Sequence, residues 1–323
     1  MSLKLSLLLA VALLVPQLTR ADLLVKDGQK VAFLGDSITD QGWNVPGGYV
    51  HLVTSGLATL GVHITPIPAG VSGNTSQDML GRIDRDVISK KPDWMTLSCG
   101  VNDVWHGPSG VALEPYKQNI TQIVDKCTAA GIKVLIMTAT VIGEDLPNDN
   151  NQKLIAYNDW LRQFAKERNL PLAEENGAFQ TAIKAAPPEP WGGYRVLTND
   201  GVHPGPDGHE LMAKQIIQGF GATDAQLAQV ESAWLTEPGS ATVNVAVEFP
   251  VGAVTLGQWK KIKALGDAHG HTPFVDYARN IYFEALRQAF AAHANDNPPA
   301  SQQVLQADAS ARFSKMIDAS PNP

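Results

Sequence analysis

The chain has 323 residues, with 25 Lys and Arg against 32 Asp and Glu, a formal net charge of −7 that argues against a polyanion such as nucleic acid as its partner. Its two cysteines make no disulfide framework. The length exceeds the roughly 100 to 200 residues usual for one domain, so one large domain with an appended piece is expected.

At the start, Lys4 and the uncharged run Leu5 to Val15 have the positive lead and short apolar core of a secretory signal. The run is too short to span a bilayer. Small residues in Thr19-Arg20-Ala21 predict cleavage after Ala21, so residues 1–21 read as a signal peptide and the product as exported, to the periplasm or beyond the cell. Pro16 and Arg20 count against a buried first helix. Without Lys4 and Arg20 the balance becomes 23 − 32 = −9. No later segment resembles a transmembrane helix.

Apolar runs that read as buried strands follow at Val31 to Leu34, His63 to Pro68, Trp94 to Cys99 and Lys133 to Thr138, with a shorter one near Leu170 to Ala173. Between them lie stripes of helical period: Tyr49, Val53, Leu57 and Leu60; Met79, Leu80, Ile83 and Val87; Tyr116, Ile120, Ile123 and Cys127; Leu154, Tyr157, Leu161 and Phe164. Alternating β and α units predict an α/β fold, a parallel sheet with helices on both faces. Cys99 ends a strand and Cys127 lies on an inward helix face, which favours buried free thiols over a bridge.

In such sheets ligands bind beyond the carboxyl ends of the strands. Ser37 in Gly35-Asp36-Ser37, Gly73 in Val71-Ser-Gly-Asn-Thr75, and Asn102 in Gly100-Val-Asn-Asp103 each follow one of the first three strands. A serine hydroxyl needs a base, and His203 in Asp200-Gly-Val-His-Pro204 is the candidate, with Asp200 placed to bond its second ring nitrogen. Thr39 stands where Gly-x-Ser-x-Gly has its second glycine, so this is not the usual α/β-hydrolase elbow. Fixed donors for a developing oxyanion are at hand in the backbone N–H groups of Ser37 and Gly73 and the amide of Asn102.

These four blocks, in this order, resemble those of the SGNH hydrolases, also called the GDSL esterase/lipase superfamily. The resemblance covers roughly Val31 to Gly219. It implies a three-layer α/β/α sandwich with a five-stranded parallel sheet of flavodoxin-like kind, no cofactor, and hydrolysis through an acyl-serine intermediate. The run Gly100-Val-Asn-Asp-Val-Trp-His-Gly107 looks especially like those of secreted, carbohydrate-directed acetylesterases. A small-molecule or polysaccharide ester is then the expected substrate. A lipid acylhydrolase, lysophospholipase or thioesterase is the alternative within enzymes, and a non-catalytic carbohydrate-binding module the alternative outside them.

Other residues invite competing readings. Ser37 alone could be a helix cap, and Asp36 is expected to hold the turn by local hydrogen bonds. Asp200, Asp207, His203 and His209, or the pair His269 and His271, could suggest a metal; the first group is better explained by the dyad and a helix start, and the second lacks a third ligand. Trp43, Trp105 and Trp191 are expected in loops around the crevice, where their faces could stack on sugar rings.

The catalytic domain is thus expected over residues 22–220, ending in a helix from Gly208 to Gly219. A mainly helical extension over 221–294 would hold helices near Ala225 to Trp234, Gln258 to Leu265 and Thr272 to Ala292, and one alternating strand from Thr242 to Phe249. The Pro-, Ser-, Gln- and Ala-rich tail, 295–323, has the composition of a disordered segment.

Overall fold

A computed structural model describes residues 22–186, 196–246, 249–268 and 274–320. The expected signal segment, Trp191 and the pair His269 and His271 lie outside the described residues.

Five strands, β1 (Lys30–Gly35), β2 (Thr65–Gly70), β3 (Trp94–Ser98), β4 (Lys133–Met137) and β5 (Leu172–Ala173), form a parallel sheet in the order β2-β1-β3-β4-β5. β1, β3 and β4 are covered on both faces, which is why they read as unbroken apolar runs. β2 carries Pro66 and Pro68, which remove two ladder donors, and it lies at the sheet edge where that loss is tolerated. Its observed span starts two residues later than the apolar run and sets Gly70 opposite Gly35. The chain winds from β1 outward to β2, then crosses back to β3 on the other side. Between β1 and β3 the connections diverge and a crevice opens at the strands' carboxyl ends.

Helices α1 (Ser37–Asn44), α2 (Tyr49–Thr59), α3 (Ser76–Asp86), α4 (Val101–Trp105), α5 (Leu113–Ala129), α6 (Asp149–Glu167), α7 (Glu175–Ala185) and α8 (Pro206–Gly219) complete the unit. α3 packs on α5 and α5 on α6, while α2 packs on α8, giving the outer layers of a three-layer α/β/α sandwich. The four predicted stripes face inward, and only Leu80 among them stays partly exposed. Cys99 and Cys127 are buried free thiols. No helix among the described residues is long and apolar enough to cross a membrane.

The chain beyond Gly219 returns to the same core. Helix α9 (Asp224–Trp234) lies against α2, where a Cβ on Gly56 would come within 2.6 to 2.9 Å of Ile217, Val230 and Trp234. The Trp234 ring is fully buried and donates to Ser55 Oγ at 3.1 Å; a side chain of this size, so placed, contributes about 3–5 kcal/mol. The single strand expected from Thr242 to Phe249 is instead an antiparallel hairpin of β6 (Ala241–Ala246) and β7 (Phe249–Val254). Pro250 and Gly252 mask the second strand in the sequence.

Helix α10 (Leu256–Ala268) is tied to α8 by Lys260 to Glu210 at 2.9 Å and Lys263 to Asp207 at 2.6 Å. Helices α11 (Phe274–Ala292) and α12 (Gln302–Ala319) pack together. The expectation of a disordered tail is therefore corrected. Ser301 caps α12, and Ala309, Phe313 and Ile317, four residues apart, put a buried stripe on an otherwise polar helix.

Candidate active site

β1 must turn into α1 within two residues, and each residue of Gly35-Asp36-Ser37 serves that turn. A Cβ on Gly35 would fall 1.9 Å from Thr39 Oγ1 and 3.3 Å from Ser98 O, so no side chain fits there. Asp36 is the N-cap of α1 and accepts from Ile38 N at 2.9 Å, the local role expected of it. Burial pushes its carboxyl up to about 6. Ser37 is the first residue of α1, half-buried, where backbone N–H groups have no partner within the helix and the helix dipole favours negative charge.

The loop before α8 brings the other two groups to Ser37. His203 Nε2 lies 2.8 Å from Ser37 Oγ, and His203 Nδ1 lies 2.6 Å from Asp200 Oδ2. Asp200 Oδ1 accepts from the backbone N–H of Val202 at 2.9 Å and of His203 at 2.8 Å, which fixes the carboxylate. With Nδ1–H donating to Asp200, Nε2 is the ring's acceptor and faces the serine hydroxyl. The bond to Asp200 raises the imidazole above its ordinary value against the opposing effect of burial. Burial acts to raise Asp200, but its bonds from His203 and Val202 prevail and hold it far below the usual carboxylate range.

Gly73 and Asn102 come from the ends of β2 and β3. Gly73 sits at φ +79°, in the left-handed region, with open space where a Cβ would be. Asn102, on the first turn of α4, is buried and donates from Nδ2 to Asn74 O at 3.1 Å. The structure thus hydrogen-bonds Ser37, His203 and Asp200 into one chain and ties the Asn102 amide to the Gly73 loop.

Several supporting residues have a role that the sequence alone does not assign. Glu144, after β4, accepts from the N–H of Leu197 at 2.9 Å and Thr198 at 2.8 Å, and from the Thr198 hydroxyl at 2.7 Å, anchoring the loop that carries Asp200 and His203. Asp103 is buried and accepts from Ser76 N at 3.0 Å and Ser76 Oγ at 2.5 Å, joining α4 to the start of α3. Burial raises the Asp103 carboxyl above its ordinary value. Arg82 also reaches this region, from α3.

The tryptophans divide. Trp105 ends α4, is 44% exposed, and its ring centre lies 6.5 Å from that of His203 in an edge-on arrangement. Trp43 is on α1 and not in a crevice loop: six residues from Ser37, or about 9 Å along the helix, it stacks on His51 at 5.1 Å. The residues weighed for a metal are engaged apart. His209 is buried, its Nδ1 accepts from Tyr49 N at 3.3 Å, and burial pushes it down to about 3, while Asp207 pairs with Lys263. No group of three metal-ligating side chains occurs among the described residues.

Comparison with known proteins places this geometry. The GDSL-like lipase/acylhydrolase family matches residues 33–211. An acetylxylan esterase from Geobacillus stearothermophilus is 28% identical over 218 residues, covering 61% of this chain and 96% of the relative. Esterase TesA from Pseudomonas aeruginosa is 29% identical over 197 residues, covering 61% of this chain and 86% of that one. The crystal structure of the acetylxylan esterase Axe2, also from Geobacillus stearothermophilus, matches with a TM-score of 0.55 at 28% identity, over 62% of this chain and 97% of Axe2. Catalytic mutants of Axe2 have been solved at one serine, one aspartate and one histidine, the last two three residues apart in its sequence.

Proposed function

Since the chain belongs to the GDSL-like lipase/acylhydrolase family and is an SGNH-type carboxylic ester hydrolase, we propose that it removes short acyl groups, chiefly acetyl, from carbohydrate through an acyl-enzyme on Ser37. The observation that carries this reading is the bonded chain Ser37–His203–Asp200, at 2.8 and 2.6 Å. The same spacing of an aspartate three residues before a histidine marks the Axe2 catalytic mutants.

In this reaction His203 takes the proton as Ser37 Oγ attacks the ester carbonyl. The N–H groups of Ser37 and Gly73 and the Asn102 amide stabilise the tetrahedral oxyanion, and the alcohol leaves with the proton from His203. Water then repeats the sequence on the acyl-serine and frees the acid. The likeness to an acetylxylan esterase and the exposed Trp105 beside His203 support a sugar substrate. Membership of an esterase family sets aside the non-catalytic module.

Activity on p-nitrophenyl acetate is expected to exceed that on the octanoate at least tenfold in kcat/KM. Trp105→Ala is expected to raise KM for acetylated xylo-oligosaccharides about 3- to 10-fold while leaving p-nitrophenyl acetate hydrolysis unchanged. Octanoate preference would instead assign the site to longer acyl esters, as the lipase/acylhydrolase family allows, and an unchanged KM in the variant would remove Trp105 from the sugar site.

Export belongs to the same proposal and rests on the charged lead and apolar run of residues 1–21. Protein recovered from the periplasm or culture fluid of a bacterial host is expected to begin at Asp22. Recovery of the uncleaved chain in the cytoplasm alone would count against it.

A further inference from the structure

A buried guanidinium on α3 touches the supports of all three oxyanion donors. Arg82 is 7% exposed. Its Nη2 donates to Gly35 O at 2.8 Å and its Nη1 to Ala69 O at 2.9 Å, at the carboxyl ends of β1 and β2. Its Nε donates to Asn74 Oδ1 at 2.6 Å. Gly35 stands two residues before Ser37, and Ala69 four before Gly73. Asn74 follows Gly73, and its carbonyl accepts the Asn102 amide at 3.1 Å. From the other side, Ser72 Oγ donates to Asp40 Oδ2 at 2.9 Å, so the Gly73 loop is held at both flanks.

Among the described residues, Asp86, at 3.1 Å, is the one carboxylate bonded to Arg82, and its other bonds go to neutral oxygens. Burying a full charge among carbonyls is costly, and an apolar side chain of like size would fill the space at less expense. What the guanidinium adds is a rigid planar fork whose donors fix several acceptors relative to one another. Gly73 lies at positive φ in a turn closed by Asn74 N to Val71 O at 3.2 Å, with open space where a Cβ would be, so the direction of its N–H follows the groups that anchor that turn.

We propose that Arg82 is the positioning residue of the oxyanion hole: it holds the N–H of Ser37, the N–H of Gly73 and, through Asn74, the amide of Asn102 at one spacing. This rests on the acyl-transfer reading of Ser37. The hydrogen bonds of Arg82 go to Gly35, Ala69, Asn74 and Asp86 and not to Ser37 or His203, so its effect falls on stabilisation of the oxyanion and not on proton transfer.

Steady-state kinetics on p-nitrophenyl acetate for Arg82→Lys and Arg82→Met test the proposal. Both are expected to lose about 30- to 100-fold in kcat, the order of loss that follows from misplacing groups by about 1 Å, with KM within about threefold of wild type. Lysine keeps the charge but not the fork, so a fully active Arg82→Lys overturns the proposal. Affinity for a boronic acid that mimics the tetrahedral adduct should fall in step with kcat; undiminished affinity in a slow variant overturns it too. The acid limb of the pH profile should stay in place, and its displacement would show that Arg82 acts through His203 instead.

In a cycle with Asn102→Ala, Arg82→Met should cost less than it does in the wild type, because one of the three donors it positions is already gone. Losses that simply multiply would mean the two act independently. Asn74→Ala removes one acceptor at a half-buried position of an otherwise exposed loop and serves if the arginine variants fail to fold. It should lower kcat about tenfold with its thermal midpoint nearly unchanged, and an unaltered kcat overturns the proposal. Failure is separable from failure of the esterase reading: a normal kcat in Arg82→Lys alongside an inactive Ser37→Ala removes only the role of Arg82.

Discussion

Ser37→Ala is expected to lower kcat for p-nitrophenyl acetate by about 10⁴-fold or more, leaving the small rate that an intact oxyanion hole and substrate binding can supply. The substitution removes one oxygen from a half-buried site, so the fold should be unaffected. Among the described residues, neither of the hydroxyls next to the crevice replaces it. Ser72 adjoins Gly73, but its hydroxyl donates to the Asp40 carboxylate and not to an imidazole. Thr39, two residues further along α1, is buried and accepts from Tyr49 OH at 2.8 Å. The readout is initial rate at saturating ester together with mass mapping after a phosphonofluoridate: the label should sit on Ser37 in the wild type and be absent from the variant. Residual activity equal to wild type, or label on another side chain, would falsify the nucleophile assignment.

That assignment was legible because the residues it needs lie at strand ends. β1 and β3 are buried on both faces and so announce themselves as apolar runs, and the residue types that follow them, Gly-Asp-Ser and Gly-Val-Asn-Asp, answer to local geometry: a close approach at Gly35, a cap at Asp36, a helix start at Ser37. Legibility fades where the interaction is long in sequence and one partner is a backbone atom. Glu144 holds N–H groups 53 and 54 residues away, and Arg82 holds a carbonyl 47 residues away. Any residue has an N–H and a carbonyl, so neither partner leaves a trace in composition or spacing.

The same logic explains the elements misjudged. β2 began later than its apolar run because two prolines are admissible on an edge strand and obscure where the ladder starts. α12 is polar overall, and its three buried residues, Ala309, Phe313 and Ile317, are too sparse to outweigh the composition around them. Trp43 was expected in a loop, but the helix that begins at Ser37 runs on to Asn44 and carries Trp43 to His51. The sequence pattern gives α9, α10 and α11 as helices, yet not their packing. That Trp234 would bury itself against α2 depends on Gly56, a residue whose only contribution is the absence of a side chain.

Asp200→Asn is expected to cost about 10⁴-fold in kcat and to shift the acid limb of kcat/KM to lower pH. The loop itself should survive, because an amide oxygen in the place of Oδ1 can still accept from Val202 N and His203 N. The amide nitrogen then faces His203 Nδ1 where Oδ2 stood, at a contact of 2.6 Å in the native site. A donor there forces Nδ1 to become the acceptor and moves the ring proton to Nε2, which turns a donor toward Ser37 and leaves the hydroxyl without a base.

The pH effect follows from sign alone. As the proposed general base His203 would act as the neutral imidazole, and its bond to Asp200 is the largest influence raising it above its ordinary 6.5. In the native enzyme kcat/KM should therefore fall as pH drops through a value above 6.5. Without the Asp200 charge the main influence left is burial, which disfavours the imidazolium, opposed by the weaker pull of Asp36. The limb must then move toward acid, even as the plateau drops. A profile of kcat/KM across the acid range for both proteins separates the two effects, and a limb that stays put or moves upward would show that Asp200 does not set the charge state of His203.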